Sequence, residues 1–415
     1  MGITLYMDNY RGFNDTLVSL SDVNFLVGEN STGKSTLISL LKTFMSNNFW
    51  ANANLNCDKE ENSTYDEYVN QYSDKRDSFL VGIAGRGRNP FHVLLEYHSG
   101  EDGLPEVCGF KSYKDGVSIK VGFSSETTCQ IRNEDNPDFR KWIYDVDGYE
   151  TNDKLMPLIA IRHSFPFIIY LNLMHDAIRK GKVIREINTF ELPVDMHTSW
   201  IAPIRAKAKS IYSSVDRKFS EDGAHIPIVL KGNKDNELLQ KKLVAFGKRS
   251  NLFDNIEIDT FGSTQPNAPF AIKVDYDRVK TGICDVGQGV NQLLPILVEC
   301  YMRRKFIISI QQPEVHLHPK AQAAFGEVIY ETSRGPYENV YLIETHSDYT
   351  IDRYRYQINQ KGEKKKKTKL LFFVRTKTGN VIKPIEIGEK GEYPDKMPKE
   401  YGKFFVDEEL KKLML

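Results

Sequence analysis

A glycine-rich loop close to the N-terminus constrains this chain more than any other feature. Gly28, Gly33, Lys34 and Ser35 satisfy the pattern G-x-x-x-x-G-K-[ST]. An apolar run precedes the loop and apolar residues at helical spacing follow it, which gives the order strand, loop, helix. In that context the backbone N–H groups of the loop surround phosphate oxygens at a helix N-terminus. We therefore predict a nucleotide-binding α/β fold, with a plain strand–turn–helix as the competing interpretation.

The residue types within the loop assign roles to particular side chains. Lys34 is expected to reach the β- and γ-phosphate oxygens, and Ser35 to offer its hydroxyl to Mg²⁺. The predicted cofactors are therefore ATP and Mg²⁺. The residues expected to contact the nucleotide here are Gly28, Glu29, Asn30, Ser31, Thr32, Gly33, Lys34, Ser35 and Thr36.

The charge balance restricts the partners that the chain can have. Lysine plus arginine number 56, as do aspartate plus glutamate, so the formal net charge is zero and no global attraction to polyanions follows. A nucleic-acid contact would need a local patch, for which the basic run 361–369 with Arg86 and Arg88 is the candidate. The alternative is that this run is a solvated loop between two strands.

The expected compartment follows from features that the sequence lacks. Its five scattered cysteines have neither the spacing of a zinc site nor the even count of a disulfide framework. The N-terminus lacks the pattern of a secretory signal, and no stretch approaches the roughly 18 apolar residues of a membrane span. We expect reduced thiols, a cytoplasmic location and no membrane partner.

The C-terminal part of the sequence alternates between helical and strand patterns. Helices are predicted over 292–303 and 320–333, and strands over 306–310 and 340–344. Such alternation favours a parallel sheet. Short strand signals also occur over 253–274.

The middle of the chain has a different pattern. Alternating segments over 105–145 predict a small antiparallel sheet, and wider apolar spacing over 159–185 predicts helices. No internal repeat or sustained heptad occurs, so the long coiled-coil arm of an SMC protein is not expected. The predicted domains are 1–45, the N-terminal part of an ATPase head with the phosphate loop; 46–250, a β lobe with helical insertions; and 251–415, the C-terminal part of the head.

Two glycines precede the first of the C-terminal helices. Gly287 and Gly289 lie in the segment 285–292, and Asn291 is expected to cap the helix. A Gly-x-Gly turn before a helix is common, so this signal is weak by itself. Its place just before the next motif favours a loop that contacts the γ-phosphate of a nucleotide bound by another subunit.

Glutamines follow the strand 306–310 at positions where an ATPase needs acids. One carboxylate there should hold Mg²⁺ through water and a second should orient the attacking water, but the residues are Gln311 and Gln312. Gln311 is therefore the candidate for accepting a metal-bound water. Gln312 or the more distant Glu314 is the candidate for placing the catalytic water, since glutamine cannot act as a base.

Three histidines lie near these motifs. His316 and His318 have no third ligand nearby and make a poor zinc site, so interface or phosphate-side roles are expected. His346 follows the strand 340–344, where a γ-phosphate sensor would lie. A lone histidine is more often structural, but in this order of motifs we predict that His346 is the switch histidine.

Taken together, these motifs resemble the ABC-type ATPases related to the OLD family, and more closely those of bacterial anti-phage defence systems such as PARIS and Septu. The segments that carry the resemblance are 28–35, 285–292, 311–319 and 344–348, together with 200–205, 219–230 and 401–408, so that it spans most of the chain. It implies an ABC-type P-loop ATPase head with a mixed sheet, an antiparallel β lobe and a helical insertion.

The resemblance also implies how such a protein assembles. Two heads would sandwich ATP, with Gly289 and Asn291 of one protomer acting on the nucleotide in the phosphate loop of the other. A homo-oligomer, a separate effector such as a nuclease or toxin, and a phage protein as the trigger are the implied partners. Because too few residues follow Asp348 to form the Toprim nuclease domain of OLD proteins, we expect the effector to be another chain.

The sequence departs from the family pattern at three positions. Gln288 stands where the family usually has an aromatic residue, Asn291 where it has serine, and Gln311 where an acid is common. The missing acid at Gln311 predicts slow or partner-stimulated hydrolysis. Three hypotheses remain: an ATP-operated switch that controls an effector, a scaffold whose ATP is never turned over, and a DNA-repair type ATPase that acts directly on DNA.

Overall fold

The computed structural model describes residues 2–57, 62–86, 89–123, 127–152, 167–168, 170–171, 174–175, 197–213, 218–262, 268–361 and 366–402. Most of the segment predicted to be helical over 159–185 lies outside the described residues, as do Arg88, residues 362–365 of the basic run and residues 403–408 of the tail.

The described residues form two compact units. The first unit contains residues 1–21, 29–195 and 373–383, and the second contains 22–28, 196–372 and 384–415. The strands are β1 (Gly2–Asp8), β2 (Thr16–Ser19), β3 (Val23–Gly28), β4 (Phe79–Arg86), β5 (Phe91–Ser99), β6 (Pro105–Lys114), β7 (Val117–Phe123), β8 (Thr127–Asn133), β9 (Glu150–Thr151), β10 (Thr198–Ile201), β11 (Asn255–Thr260), β12 (Phe270–Tyr276), β13 (Val279–Gly282), β14 (Ile307–Gln311), β15 (Val340–Glu344), β16 (Thr368–Thr376) and β17 (Gly379–Ile387). The helices are α1 (Lys34–Phe44), α2 (Asn47–Asn52), α3 (Tyr65–Tyr68), α4 (Phe139–Tyr144), α5 (Ile226–Gly232), α6 (Glu237–Ser250), α7 (Gln288–Met302), α8 (Pro319–Thr332) and α9 (Asp348–Lys361).

Four strands of the second unit, β10, β14, β15 and β3, are neighbours in a sheet with the order β10-β14-β15-β3-β16-β17. Its first four strands are parallel to one another. Every residue of β3 and β15 is buried, as expected for parallel strands covered on both faces. The parallel sheet predicted from the alternation of helices and strands is confirmed.

Helix α7 begins earlier than the sequence predicted. Gly287 has an extended conformation and is the N-cap residue, so Asn291 lies inside the helix, where it is buried. The prediction that Asn291 caps the helix is therefore wrong. Gly289 allows the first turn of α7 to lie close to the backbone of His316, because a Cβ there would lie 2.9 Å from the His316 carbonyl oxygen.

An eight-stranded antiparallel sheet organises the first unit, with the order β2-β1-β4-β5-β6-β7-β8-β9. It is larger than the small sheet predicted over 105–145, because β1 pairs with both β2 and β4. Long-range pairing of this kind leaves no local signal in the sequence. A buried cluster covers one face of this sheet and contains Tyr6, Ala84, Leu94, Tyr113, Phe139 and Trp142.

Two further predictions have different outcomes. The strand signals over 253–274 are confirmed by β11 and β12, which form an antiparallel three-stranded sheet with β13 in the second unit. The basic run does not join two strands, since Lys361 ends α9 and Thr368 begins β16. Ile351, Tyr354 and Ile358 are buried at helical spacing and extend the helix to Lys361.

A glycine in α8 allows helices α8 and α9 to approach closely. A Cβ at Gly326 would lie 2.3 Å from the carbonyl oxygen of Thr350 and 3.0 Å from the amide nitrogen of Tyr354. We expect Gly326→Ala to lower the free energy of unfolding by about 1–3 kcal/mol, because both obstacles are backbone atoms. Gly232→Ala in α5 is the matched control, since no atom lies within 4 Å of a Cβ there. Urea denaturation of both variants measures the difference; equal stabilities would contradict it.

A buried carboxylate joins α7 to its neighbours. The Glu299 side chain accepts hydrogen bonds from Ser199 (2.7 Å) and from Arg303 (2.7 and 3.0 Å), and it lies 3.1 Å from His225 Nε2. Burial by itself raises the pKa of Glu299, but these bonds outweigh it and lower the pKa from 4.5 to about 2. Because the pKa of Glu299 is lower in the folded protein than in the unfolded chain, ionisation of Glu299 stabilises the folded state.

This stabilisation depends on pH. It is complete above pH 4.5, declines as the pH falls below that value, and is lost near pH 2. We expect Glu299→Gln to cost about 3 kcal/mol at pH 7, because partners are left unpaired in the interior, and to cost less at pH 3. Chemical denaturation at both pH values measures this, with Glu237→Gln on the exposed face of α6 as the control. An equal cost at the two pH values would exclude ionised Glu299 as the cause.

Candidate functional site

The phosphate loop has the curled backbone that the motif requires. Gly28, Ser31 and Gly33 have φ values of 148°, 61° and 96°, in the left-handed half of conformational space. Thr32 Oγ1 and Lys34 Nζ both donate to the carbonyl oxygen of Glu29, each at 2.8 Å. The lysine side chain therefore folds back over the loop, and Lys34 is buried.

Glycine is required at position 33 for two reasons. Its φ of 96° disfavours other residues, and a Cβ would lie 2.4 Å from the ring of Phe13. Gly33 is the N-cap residue of α1, so the loop ends at the positive end of a helix dipole. Arg375 Nη2 donates to the carbonyl oxygen of Ser31 at 2.6 Å. These contacts within the first unit form the kind of concave anion site that phosphate requires.

In the second unit, the parallel strands align the ends of the other motifs. Glu344 ends β15 and Gln311 ends β14, and the two residues are register partners. On the other side of β15, Glu344 is in register with Leu26, two residues before Gly28 and the start of the phosphate loop. Since these strands run in the same direction, their carboxyl ends share the sheet edge where ligands of α/β proteins bind.

Glu344 is an acidic residue at this edge to which sequence reasoning gave no role. Gln311 Nε2 donates to Glu344 Oε2 at 2.9 Å, and Glu344 is 6% exposed. In the sequence, Glu344 is the last residue of an apolar strand and directly precedes Thr345-His346, and this position is the signal that indicates a role for it. The motif order predicts an acid directly after β14. Strand register, however, places Glu344 at the end of β15 beside Gln311 at the end of β14.

The turn after β14 is held by backbone contacts. Gln312 N donates to the carbonyl oxygen of Glu344 at 2.8 Å. The guanidinium of Arg205 donates to the carbonyl oxygens of Gln311 (2.7 Å) and Gln312 (3.2 Å). These bonds support Gln312 in a left-handed conformation, with a φ of 47°. Burial lowers the pKa of Arg205 to about 10 although the charge of Glu314 raises it, so Arg205 stays charged at neutral pH.

Glu314 binds the segment that contains the predicted switch histidine. Its carboxylate accepts a hydrogen bond from Thr345 Oγ1 at 2.8 Å and from the backbone N–H of His346 at 2.7 Å. Thr345 N in turn donates to the carbonyl oxygen of Leu26 at 3.1 Å. Glu314, placed past the strand end by the sequence, is therefore a positioning group for the turn after β15.

The remaining predicted residues lie in different surroundings. At the start of α7, Gly287 and Gln288 are exposed, whereas Gly289 and Asn291 are buried. Asn291 Oδ1 has no hydrogen-bond partner in the part of the chain that the structure describes. His318 caps α8 and His316 is exposed. Among the described residues, no group of three or more His, Cys, Asp or Glu side chains is arranged to hold a metal ion.

Three of the described basic residues proposed for nucleic-acid contact have acidic neighbours. Lys366 lies 3.5 Å from Asp22, and Lys369 lies 3.6 Å from Glu386. Arg86 lies 3.5 Å from Asp138 in the first unit. Their charges are thus partly neutralised within the chain.

A family model described as "AAA ATPase domain" matches residues 3–76 and 179–351, more than half of the chain. This chain belongs to that family. It is therefore an ATPase of mixed α/β fold. No curated protein matches the sequence. None of the helices that the structure describes has the length and apolar character needed to cross a membrane.

Solved structures of SMC heads are similar to this AAA-type ATPase at low identity. The SmcHead bound to the C-winged helix domain of ScpA is 10% identical with a TM-score of 0.44, covering 93% of this chain and 98% of that chain. The SMC head domain from Thermotoga maritima is 12% identical with a TM-score of 0.40, covering 93% and 100%. The Smc head with an extended coiled coil bound to the C-terminal domain of ScpA from Pyrococcus furiosus is 11% identical with a TM-score of 0.39, covering 100% and 98%.

The contacts of Glu314 predict a structural effect that is separate from nucleotide chemistry. We expect Glu314→Ala to lower the free energy of unfolding by about 1–3 kcal/mol, because it leaves Thr345 Oγ1 and the His346 N–H without their acceptor. Glu314→Gln keeps one carbonyl acceptor and should lose less. In thermal denaturation we expect the melting temperature to fall from the wild-type protein to Glu314→Gln and further to Glu314→Ala. An alanine variant as stable as the wild-type protein would contradict the role of this carboxylate.

Proposed function

We propose that this ATPase is a nucleotide-operated switch that turns over ATP slowly. The observation that carries the proposal is the phosphate loop, whose left-handed residues and helix start fit the phosphates of ATP. The residues of the loop, Gly28, Glu29, Asn30, Ser31, Thr32, Gly33, Lys34, Ser35 and Thr36, would bind the nucleotide. Mg²⁺ supplies charge neutralisation for phosphoryl transfer when it is bound.

The proposed roles divide between charge and position. Lys34 would neutralise phosphate oxygens and Ser35 would offer a hydroxyl to the metal ion. Gln311 would accept a metal-bound water, and Gln312 would place the attacking water. His346 would sense the γ-phosphate, with Glu314 fixing its backbone.

Slow turnover follows from the amide groups after β14. An amide carries no charge and takes up no proton, so Gln312 can orient a water but cannot remove its proton. A scaffold with permanently bound ATP is the limiting case of this behaviour. The switch and the scaffold differ in one measurable property, the release of phosphate.

We also propose that ATP joins two protomers and that the assembly belongs to a bacterial anti-phage defence system. The start of α7 supports the first part, because Gly287 and Gln288 are exposed at a helix N-terminus, which is suited to phosphate. Gly289 and Asn291, expected to act on the nucleotide in the phosphate loop of the other protomer, belong to the same helix start. The support for the second part is the motif resemblance to OLD-related defence ATPases, which also motivates a separate effector, a nuclease or toxin, controlled by the nucleotide state.

Substitution of the loop lysine tests the function. We expect Lys34→Ala to weaken ATP binding at least tenfold and to abolish phosphate release, because the main phosphate-binding charge is removed. Lys120→Ala, at an exposed position of β7 in the same unit, is the control. Fluorescent-nucleotide titration and a phosphate-release assay measure the two effects, and light scattering with a non-hydrolysable ATP analogue measures assembly.

The possible results separate the hypotheses. Binding, slow release and ATP-dependent assembly, all lost in Lys34→Ala, would support the switch. Binding without release would leave the scaffold. Equal ATP affinity in the wild-type protein and Lys34→Ala would overturn the proposal.

A further inference from the structure

We propose that Glu344 supplies the negative charge that Gln311 lacks, and that the Gln311–Glu344 pair forms the anionic part of the divalent-cation site. This inference rests on the proposed binding of a magnesium–nucleotide complex. It assigns the metal-binding carboxylate to the end of β15 instead of the end of β14.

The first argument is geometric. Gln311 and Glu344 are register partners at the ends of adjacent parallel strands, and their side chains are hydrogen-bonded at 2.9 Å. The carboxylate of Glu344 therefore lies within one hydrogen bond of the position where a phosphoryl-transfer ATPase carries an acid. It also lies at the sheet edge from which the phosphate loop starts, because Glu344 is in register with Leu26 of β3.

The second argument concerns like charges. If residue 311 were an acid, two carboxylates would lie within hydrogen-bonding distance in a largely buried position, where like charges repel. Gln311 avoids this repulsion and instead donates a hydrogen bond from Nε2 to Glu344 Oε2. Glu344 is therefore the acid of the pair.

The third argument concerns the other nearby acid. Both oxygens of Glu314 accept hydrogen bonds from the turn after β15, so Glu314 is committed to positioning Thr345 and His346. Glu344 has a side-chain amide among its partners, and carboxylates are groups through which Mg²⁺ binds beside phosphates and waters. The backbone of Glu344 is held in the sheet between β14 and β3.

Charge removal and charge exchange test the assignment. The measurement is the affinity of the full-length protein for a fluorescent non-hydrolysable ATP analogue, in Mg²⁺ and in EDTA. We expect Mg²⁺ to tighten binding to the wild-type protein, and Glu344→Gln to reduce that tightening by about tenfold to a hundredfold, the usual effect of losing a group that supports a metal site. Binding in EDTA should change little, since Lys34 remains.

The exchange variant distinguishes charge from packing. In Gln311→Glu/Glu344→Gln the acid lies at the end of β14 and the amide at the end of β15. We expect this variant to recover most of the Mg²⁺-dependent increase in affinity for the ATP analogue. The control is Glu386→Gln on β17, where the side chain is 78% exposed. A full Mg²⁺ response in Glu344→Gln, or no recovery in a folded exchange variant, would overturn the assignment.

A second measurement, of melting temperature, keeps the assignment testable if the exchange variant does not fold. Gln311→Glu by itself places two acids together, so we expect its melting temperature to fall in EDTA and to recover more in Mg²⁺ or Mn²⁺ than that of the wild-type protein. No metal-dependent recovery would count against the site. Failure of the wild-type protein to bind the analogue in either condition would instead refute the proposed function itself, so the two failures are distinguishable.

Discussion

The parallel pairing of β14, β15 and β3 is the constraint on which the candidate site depends. This pairing fixes the relative positions of the strand ends, so that Gln311, Glu344 and the start of the phosphate loop at Gly28 share one sheet edge. Each strand is short and largely buried, and its residues show only an apolar run, which does not indicate which strand it pairs with. Hydrogen-bond register places the ends of β14, β15 and β3 side by side. A shift of one residue would turn the side chains of Gln311 and Glu344 away from each other.

Buried polar groups hold this edge in one arrangement. Arg205 donates to the carbonyl oxygens of the turn after β14, and Glu314 accepts from the turn after β15. Burying such charges is costly unless they are paired, so each charged group is bound to backbone or side-chain partners. The same solution appears at Glu299, whose partners outweigh its burial and keep it ionised. The outcome is a set of fixed turns at the ends of otherwise apolar strands.

The proposed metal-site assignment would explain how an ATPase can have amides where acids are usual. An enzyme needs negative charge near the metal ion, but the charge need not come from one particular strand. Parallel strands present equivalent positions at their carboxyl ends, so an acid can be replaced by an amide on one strand if the neighbouring strand carries the acid. The hydrogen bond between Gln311 and Glu344 joins the two positions. Hydrolysis then depends on how well the remaining groups place a water.

The sequence by itself determined the parts of this protein that rest on local chemistry. The phosphate loop, the short buried strands and the helices after them follow from residue spacing, because glycine conformation and apolar periodicity act over a few residues. Only the tertiary structure decided the rest. The extent of the antiparallel sheet, the burial of Asn291 within α7 and the pairing of Gln311 with Glu344 join residues that are distant in the chain. Strand order and register determine which distant residues meet, and strands that are buried on both faces, such as β3 and β15, lack the alternation that would specify register.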